Sequence, residues 1–174
     1  SPYKDFGMHW CFECHSTLVS MLRAYVPDPL FSVVMTCQKD SIADALRSVI
    51  DQSLPSWEVI VVDDHSPDSC GDFVRAWKQV LPEASRFKVL IHHEALGARA
   101  ALNRGFQEAR GLWISALDAN ARLEPHDFRS MAKAISLRPE LQLIYSAAST
   151  PWYVRRLCNG SFPELPRNSD SPVY

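Results

Sequence analysis

Trp57-Glu58-Val59-Ile60-Val61-Val62-Asp63-Asp64-His65-Ser66 is an apolar, β-branched run that stops abruptly at two carboxylates and a turn-forming serine. Such a run reads as a strand buried within a parallel sheet, with its acids delivered to the C-terminal edge. In open α/β sheets that edge is where ligands bind. The pattern recurs downstream, where Leu112-Trp113-Ile114-Ser115-Ala116-Leu117 runs into Asp118-Ala119-Asn120. Two strands aiming acids at one rim point to a site for a polar ligand together with a cation.

The flanking sequence alternates regularly between strand and helix signals. Phe31 to Met35 is a first strand, and Ser41 followed by Asp44 reads as a capping-box-like helix start, with Ile42, Leu46, Val49 and Ile50 on one face. A second helix is expected to bury Phe73, Trp77, Val80 and Leu81. Phe87 to His92 is a third strand, Ala98 to Arg110 a third helix, and Leu112 to Asp118 a fourth strand. A helix from about Pro125 to Leu137 buries Phe128, Met131 and Ile135, and Leu141 to Tyr145 makes a fifth strand. Strands alternating with helices imply right-handed crossovers and a mostly parallel sheet.

Outside this core lie two less regular regions. Residues 1–30 form an N-terminal helical extension ending at Pro27-Asp28-Pro29, residues 31–148 are the α/β domain, and residues 149–174 are an irregular tail marked by Pro151, Pro163, Pro166 and Pro172. At 174 residues and 47% apolar content, the chain is sized for one ordered domain. A net charge of −2 gives no basic footprint for nucleic acid. No apolar run approaches the roughly 18 residues that span a bilayer, which leaves peripheral membrane contact open. The first residue is Ser, and no charged segment precedes an apolar one, so no signal peptide is expected. The sequence is compatible with a piece of a longer protein.

Five cysteines, Cys11, Cys14, Cys37, Cys70 and Cys158, are an odd number without framework spacing. They fit a reducing compartment, and hence the cytoplasm, better than a disulfide-stapled secreted protein. The sequon Asn159-Gly160-Ser161 is then a chance match. Cys11-Phe12-Glu13-Cys14-His15 fits the C-x-x-C-H attachment signature of c-type haem, and with His9 it could supply zinc ligands. The favoured reading is an amphipathic helix, because Trp10, Cys14, Leu18, Leu22 and Tyr25 recur at helical spacing.

If the sheet is parallel, Thr36, Cys37 and Gln38 leave the first strand on the same rim as Asp63, Asp64 and Asp118. One crevice can then hold them all. Acids after a strand also serve as helix caps, and that bland role competes at each site taken alone. Several stretches together, Phe31 to Thr36, Ala45 to Ser53, Trp57 to Ser66, Gly97 to Gly105, Ala109-Arg110-Gly111, and Leu117 to Asn120 followed by Pro125, resemble family 2 glycosyltransferases in order and spacing. Ile144-Tyr145-Ser146-Ala147 is similar to the strand after the metal motif in spore-coat-type members. The resemblance covers Phe31 to about Ala148.

It implies a GT-A (Rossmann-like) fold, a mostly parallel sheet with flanking helices, cut short after the metal motif. It further implies a nucleotide-sugar donor, in the first instance a UDP-sugar, and inverting transfer. Thr36, Cys37 and Gln38 would line the nucleoside pocket with Asp63, Asp64 would hydrogen-bond the base, and Asp118 would open a D-x-D motif binding Mn²⁺ or Mg²⁺ with Asn120. A hard cation suits carboxylate and phosphate oxygens and stabilises a departing diphosphate. Arg99 could face a phosphate or sit exposed on its helix.

The sequence also departs from the family pattern. Asn120 replaces one anionic metal ligand with an amide, Gln38 stands where an aromatic residue usually stacks on the base, and Lys39 stands where Asn is usual. The acceptor region and its general base normally lie well beyond the metal motif, and none of Glu124, Asp127 and Glu164 sits in a recognisable base motif. The competing reading is a truncated or degenerate GT-A domain that binds nucleotide or a protein partner without turnover. A doubly wound signalling domain of the response-regulator kind fits less well, because its acidic pair follows the first strand rather than the second. The acceptor, the catalytic base and the oligomeric state are not readable.

Overall fold

The computed structural model describes residues 28–37, 39–138, 140–145 and 152–155. Gln38 and the Cys11, Cys14 and His15 motif lie outside them.

The strands are β1 (Phe31–Thr36), β2 (Trp57–Asp63), β3 (Phe87–Ile91), β4 (Trp113–Ala116), β5 (Leu143–Tyr145) and β6 (Trp152–Arg155), and the helices α1 (Lys39–Ile50), α2 (Cys70–Lys78), α3 (Ala98–Glu108) and α4 (Asp127–Leu137). They build one sheet in the order β3-β2-β1-β4-β6-β5. The first four strands in that order are parallel, and β6 runs antiparallel to both β4 and β5.

Burial explains why β2 reads as an uninterrupted apolar run. Val59, Ile60, Val61 and Val62 are all fully buried, because helices cover both faces of the sheet. Each such side chain contributes about 1.5–3 kcal/mol by leaving water. Val33, Met35, Val59 and Val61 point into one apolar layer with Ile42, Leu46, Val49, Val74, Phe128 and Met131. Val34, Ile60, Val62 and Ile114 point into the other, against Ala101, Leu102 and Phe106 of α3. Alternation along each strand thus sorts its side chains between two layers. Phe31 stacks on Phe128 with ring centroids 4.7 Å apart, seating α4 on β1. At Gly105 an added Cβ would overlap Cγ1 of Val34, so α3 approaches the sheet as closely as only glycine allows.

Three expectations need correction. In α2 the buried residues are Cys70, Gly71 and Val74; Trp77 and Leu81 pack against the core as expected, while Phe73 is 37% exposed and Val80, past the end of the helix, 79%. The start of the helix is fixed by a carboxylate from β2, described below, and that sets its phase. Helix α1 begins at Lys39, two residues before the serine expected to cap it. Residues 152–155, within the stretch expected to be irregular, form β6 and take their backbone partners from β4 and β5.

The cysteines also differ from expectation. Cys37 and Cys70 are joined by a disulfide with a Cα separation of 5.9 Å, linking the end of β1 to the start of α2. Their 33-residue separation in sequence gives no hint of this contact. Among the described residues no helix is long and apolar enough to cross a membrane.

Candidate functional site at the sheet switch point

The chain builds β1, β2 and β3 outward in one direction and then returns to place β4 on the other side of β1. The switch point therefore lies between the C-terminal ends of β1 and β4, where open α/β sheets form their ligand crevice. Pairing continues past the regular strands: Cys37 N donates to Val62 O at 3.0 Å, and Leu117 N donates to Val34 O at 2.9 Å. Since Thr36 pairs with Val62 and Val34 with Ala116, the ladder carries Thr36, Asp64 and Asp118 to within two residues of one level. Asp64 and Asp118 follow the strands on either side of β1, two strand spacings or about 10 Å apart across the sheet and two residues apart along it.

The adjacent carboxylates of β2 do different things. Asp63 is buried, and its two oxygens accept hydrogen bonds from Ser66 N and Gly71 N, each at 2.7 Å. A Cβ at Gly71 would lie 2.7 Å from Asp63 Oδ2, so this cap requires glycine. Between them the turn passes through left-handed conformations at His65 (φ 60°) and Ser69 (φ 54°).

Asp64 reaches the other way, to the loop between β3 and α3. Its Oδ1 accepts from Leu96 N at 2.9 Å and lies 2.6 Å from Nδ1 of His92, and its Oδ2 accepts from Gly97 N at 2.6 Å. The bond from Leu96 N, then that from His92, holds the Asp64 carboxyl below the usual carboxylate range, against a smaller opposing effect of burial. Its side chain keeps 19% exposure, while that of His92 keeps 2%.

Asp118 and Asn120 are exposed on the turn after β4. Oδ1 of Asp118 accepts from Asn120 N at 2.8 Å and from Asn120 Nδ2 at 3.1 Å. The amide nitrogen of Asn120 faces this carboxylate, which leaves its amide oxygen as a ligand atom for a cation. One carboxylate and one amide oxygen suit a hard cation whose shell is completed by phosphate oxygens. No three His, Cys, Asp or Glu side chains among the described residues converge as a metal cluster.

This turn is stitched down by α1. Leu123 N donates to Ser48 Oγ at 3.0 Å, and Gln52 Nε2 donates to Glu124 O at 2.6 Å while its Oε1 accepts from Phe128 N at 3.0 Å. Gln52 is buried and joins α1, the segment after Asn120, and the first turn of α4.

The strand ends thus bring together Thr36, Cys37, Asp63, Asp64 and Asp118. The Cys37 sulfur is bonded to Cys70, and Asp63 is turned inward. Arg99 is exposed in the first turn of α3. A cleft of about 260 Å³ lies elsewhere, between α1 and residues 122–125, and none of these five residues lines it. Sequence reasoning missed His92 and Gln52. Gln52 stands in a stretch that resembles the family, whereas His92 carries no signal beyond ending a strand.

A parallel sheet of this order with two antiparallel strands beyond β4 and carboxylates at its switch point is the GT-A class of α/β fold. A family model described as "Glycosyl transferase family 2" matches residues 32–157, and the chain belongs to that family. It is 35% identical over 94 residues to the putative teichuronic acid biosynthesis glycosyltransferase TuaG of Bacillus subtilis, covering 53% of this chain and 36% of that protein. It is 32% identical over 121 residues to the O-antigen biosynthesis protein RfbC of Myxococcus xanthus, covering 68% of this chain and 9% of that one. The chain therefore spans about a third or less of these relatives. Among solved structures, the mannosyltransferase PcManGT of Pyrobaculum calidifontis, in complex with GDP-Man and Mn²⁺, superposes with a TM-score of 0.62 at 19% identity, over 82% of this chain and 53% of that one. TarS of S. aureus in complex with UDP superposes with a TM-score of 0.56 at 24% identity, over 63% and 32%. At these identities the superpositions establish the fold.

Proposed function

We propose that this chain holds the donor site of an inverting glycosyltransferase that takes a nucleotide-diphospho-sugar, in the first instance a UDP-sugar. The observation that supports the reading is that Thr36, Asp64 and Asp118 leave three neighbouring strands at one C-terminal rim, beside the switch point. In this reading Asp64 accepts a hydrogen bond from the base, and Thr36 and its neighbours line the nucleoside pocket. Asp63 contributes by fixing the turn that follows Asp64. Asp118 and the amide oxygen of Asn120 hold Mn²⁺ or Mg²⁺ against the diphosphate. When bound, the cation neutralises charge on the departing nucleoside diphosphate. Complexes of relatives with UDP and with GDP-Man and Mn²⁺ support the ligand class. The acceptor and the base that would deprotonate it are not assigned.

A second reading, a domain that binds nucleotide or a protein partner without turnover, is favoured by one observation: Asp118 is the sole carboxylate of its motif, paired with Asn120. Calorimetric titration with UDP, GDP, CDP and ADP, with and without Mn²⁺, tests the donor site. Saturable binding of UDP that Mn²⁺ strengthens is expected, and absence of binding by all four overturns it. Release of free sugar from a UDP-sugar by the purified chain would separate the first reading from the second.

A further inference from the structure

We propose that His92 is a positioning residue for nucleobase recognition, fixing the Asp64 carboxylate so that one acceptor direction on Oδ2 is left for an imide N–H of the base. This rests on the reading of Asp64 as the group that meets the base.

A carboxylate offers about four acceptor directions. Among the described residues Oδ1 takes two donors, Leu96 N and His92, and Oδ2 takes one, Gly97 N. A fourth donor can therefore approach Oδ2 without displacing any of the three. Asp64 is ionised at neutral pH, since its carboxyl is held below the usual range. An ionised carboxylate cannot donate, so the 2.6 Å contact requires a proton on Nδ1 of His92.

The two amide donors come from an exposed loop, whereas the imidazole is buried. Residues 93–99 are all exposed, and Leu96 itself is 55% exposed. His92, in contrast, is 3% exposed, and its backbone N donates to Asp63 O at 2.8 Å, continuing the β2–β3 ladder. Its ring is thus anchored on the sheet and holds Asp64 from the buried side, while Leu96 and Gly97 close over it from an exposed loop. Without the imidazole, the carboxylate is held only by the two amides of that exposed loop and loses its anchor on the sheet side. A ligand with N–H at the matching edge, such as uracil, then loses its oriented acceptor. Cytosine, whose corresponding ring nitrogen is itself an acceptor, never gained from it.

The test compares UDP and CDP affinities of wild type, His92→Ala, His92→Asn, His92→Gln and Asp64→Ala. The Asn amide can stand near the position of Nδ1 and the Gln amide near that of Nε2. We expect His92→Ala to weaken UDP roughly tenfold and to shrink the preference over CDP, with Asn restoring most of the loss and Gln little of it. Should His92→Ala fail to fold, the Asn and Gln variants still decide, because equal UDP affinities in those two would overturn the positioning role. Wild-type UDP affinity in His92→Ala beside weakened binding in Asp64→Ala also overturns it and leaves Asp64 on the base. Wild-type affinity in Asp64→Ala overturns both.

Discussion

Oδ2 of Asp64 accepts a hydrogen bond from the backbone N of Gly97 at 2.6 Å, so the end of β2 holds the cap of α3 across 33 residues of sequence. Gly97 adopts φ 91°, a left-handed conformation that suits glycine, and this lets consecutive amides at 96 and 97 both face one carboxylate. The same carboxylate that we place against a nucleobase therefore also closes the loop beside it.

Acid should weaken the fold through this group. Its folded pKa lies below the ordinary value of 3.8, so its contribution is complete above that value and is lost as pH falls through the folded pKa. Asp64→Asn should be less stable than wild type at neutral pH, and the gap in urea midpoints should narrow below pH 3.8. A gap that stays constant with pH would show that the carboxylate's charge is not what holds the loop.

The Cys37–Cys70 bond closes a loop of 33 residues, for which chain entropy gives about 3–4 kcal/mol of stabilisation. Cys37→Ser should lower stability by about that amount under non-reducing conditions and by much less in the presence of a dithiol. Alkylation without prior reduction, followed by peptide mass analysis, should find Cys37 and Cys70 linked. Two alkylated thiols in freshly isolated protein would instead support the reducing compartment expected from the cysteine count.

At the opposite end of the sheet, Glu58 is a buried carboxylate in a network that no sequence motif announces. Its Oε1 accepts from Ser32 Oγ at 2.7 Å and Arg110 N at 2.6 Å, while Oε2 faces the Arg110 guanidinium at 2.9 Å. Arg110 is 69% exposed and Glu58 only 6%, so the two ends of the pair are unequal. Glu58→Ala leaves the buried Ser32 hydroxyl and the part-buried Arg110 N without this acceptor and should cost about 2–4 kcal/mol, whereas Arg110→Ala leaves Glu58 two donors and should cost about 1–2 kcal/mol. Equal losses in denaturant titrations would contradict this asymmetry.

In the proposed metal site Asn120 would supply a neutral ligand where a second carboxylate would bind a hard cation more strongly. Asn120→Asp should tighten Mn²⁺ in the presence of UDP, read by calorimetry or by water-proton relaxation. Micromolar Mn²⁺ binding by the wild-type protein without nucleotide would contradict the expectation that the phosphates complete the site.

Legibility from sequence followed the range of the interactions. β2 and most of β1 are readable because burial on both faces writes a nearly continuous apolar run, β3 shows more weakly as an edge strand with Lys88 exposed, and the carboxylates stand out by ending β2 and β4. Of the residues expected on the buried face of α2 and its continuation, Trp77 and Leu81 pack against the core and Phe73 and Val80 do not, because the Asp63–Gly71 cap that orients the helix is a tertiary contact. Strand β6 was missed because its four residues follow a proline and acquire strand pairing only from β4 and β5. The Asp64–His92 contact and the Cys37–Cys70 bond join residues 28 and 33 positions apart, with no local periodicity to betray them.

The most direct test of the central claim is the UDP affinity of wild type beside Asp64→Ala and Asp118→Ala, all titrated with Mn²⁺ present and each checked for an intact fold. A donor site at the switch point predicts saturable binding in the wild type, a roughly tenfold or greater loss in Asp64→Ala, and loss of the Mn²⁺ dependence in Asp118→Ala. Undiminished binding in both folded variants would place the nucleotide elsewhere and contradict the account.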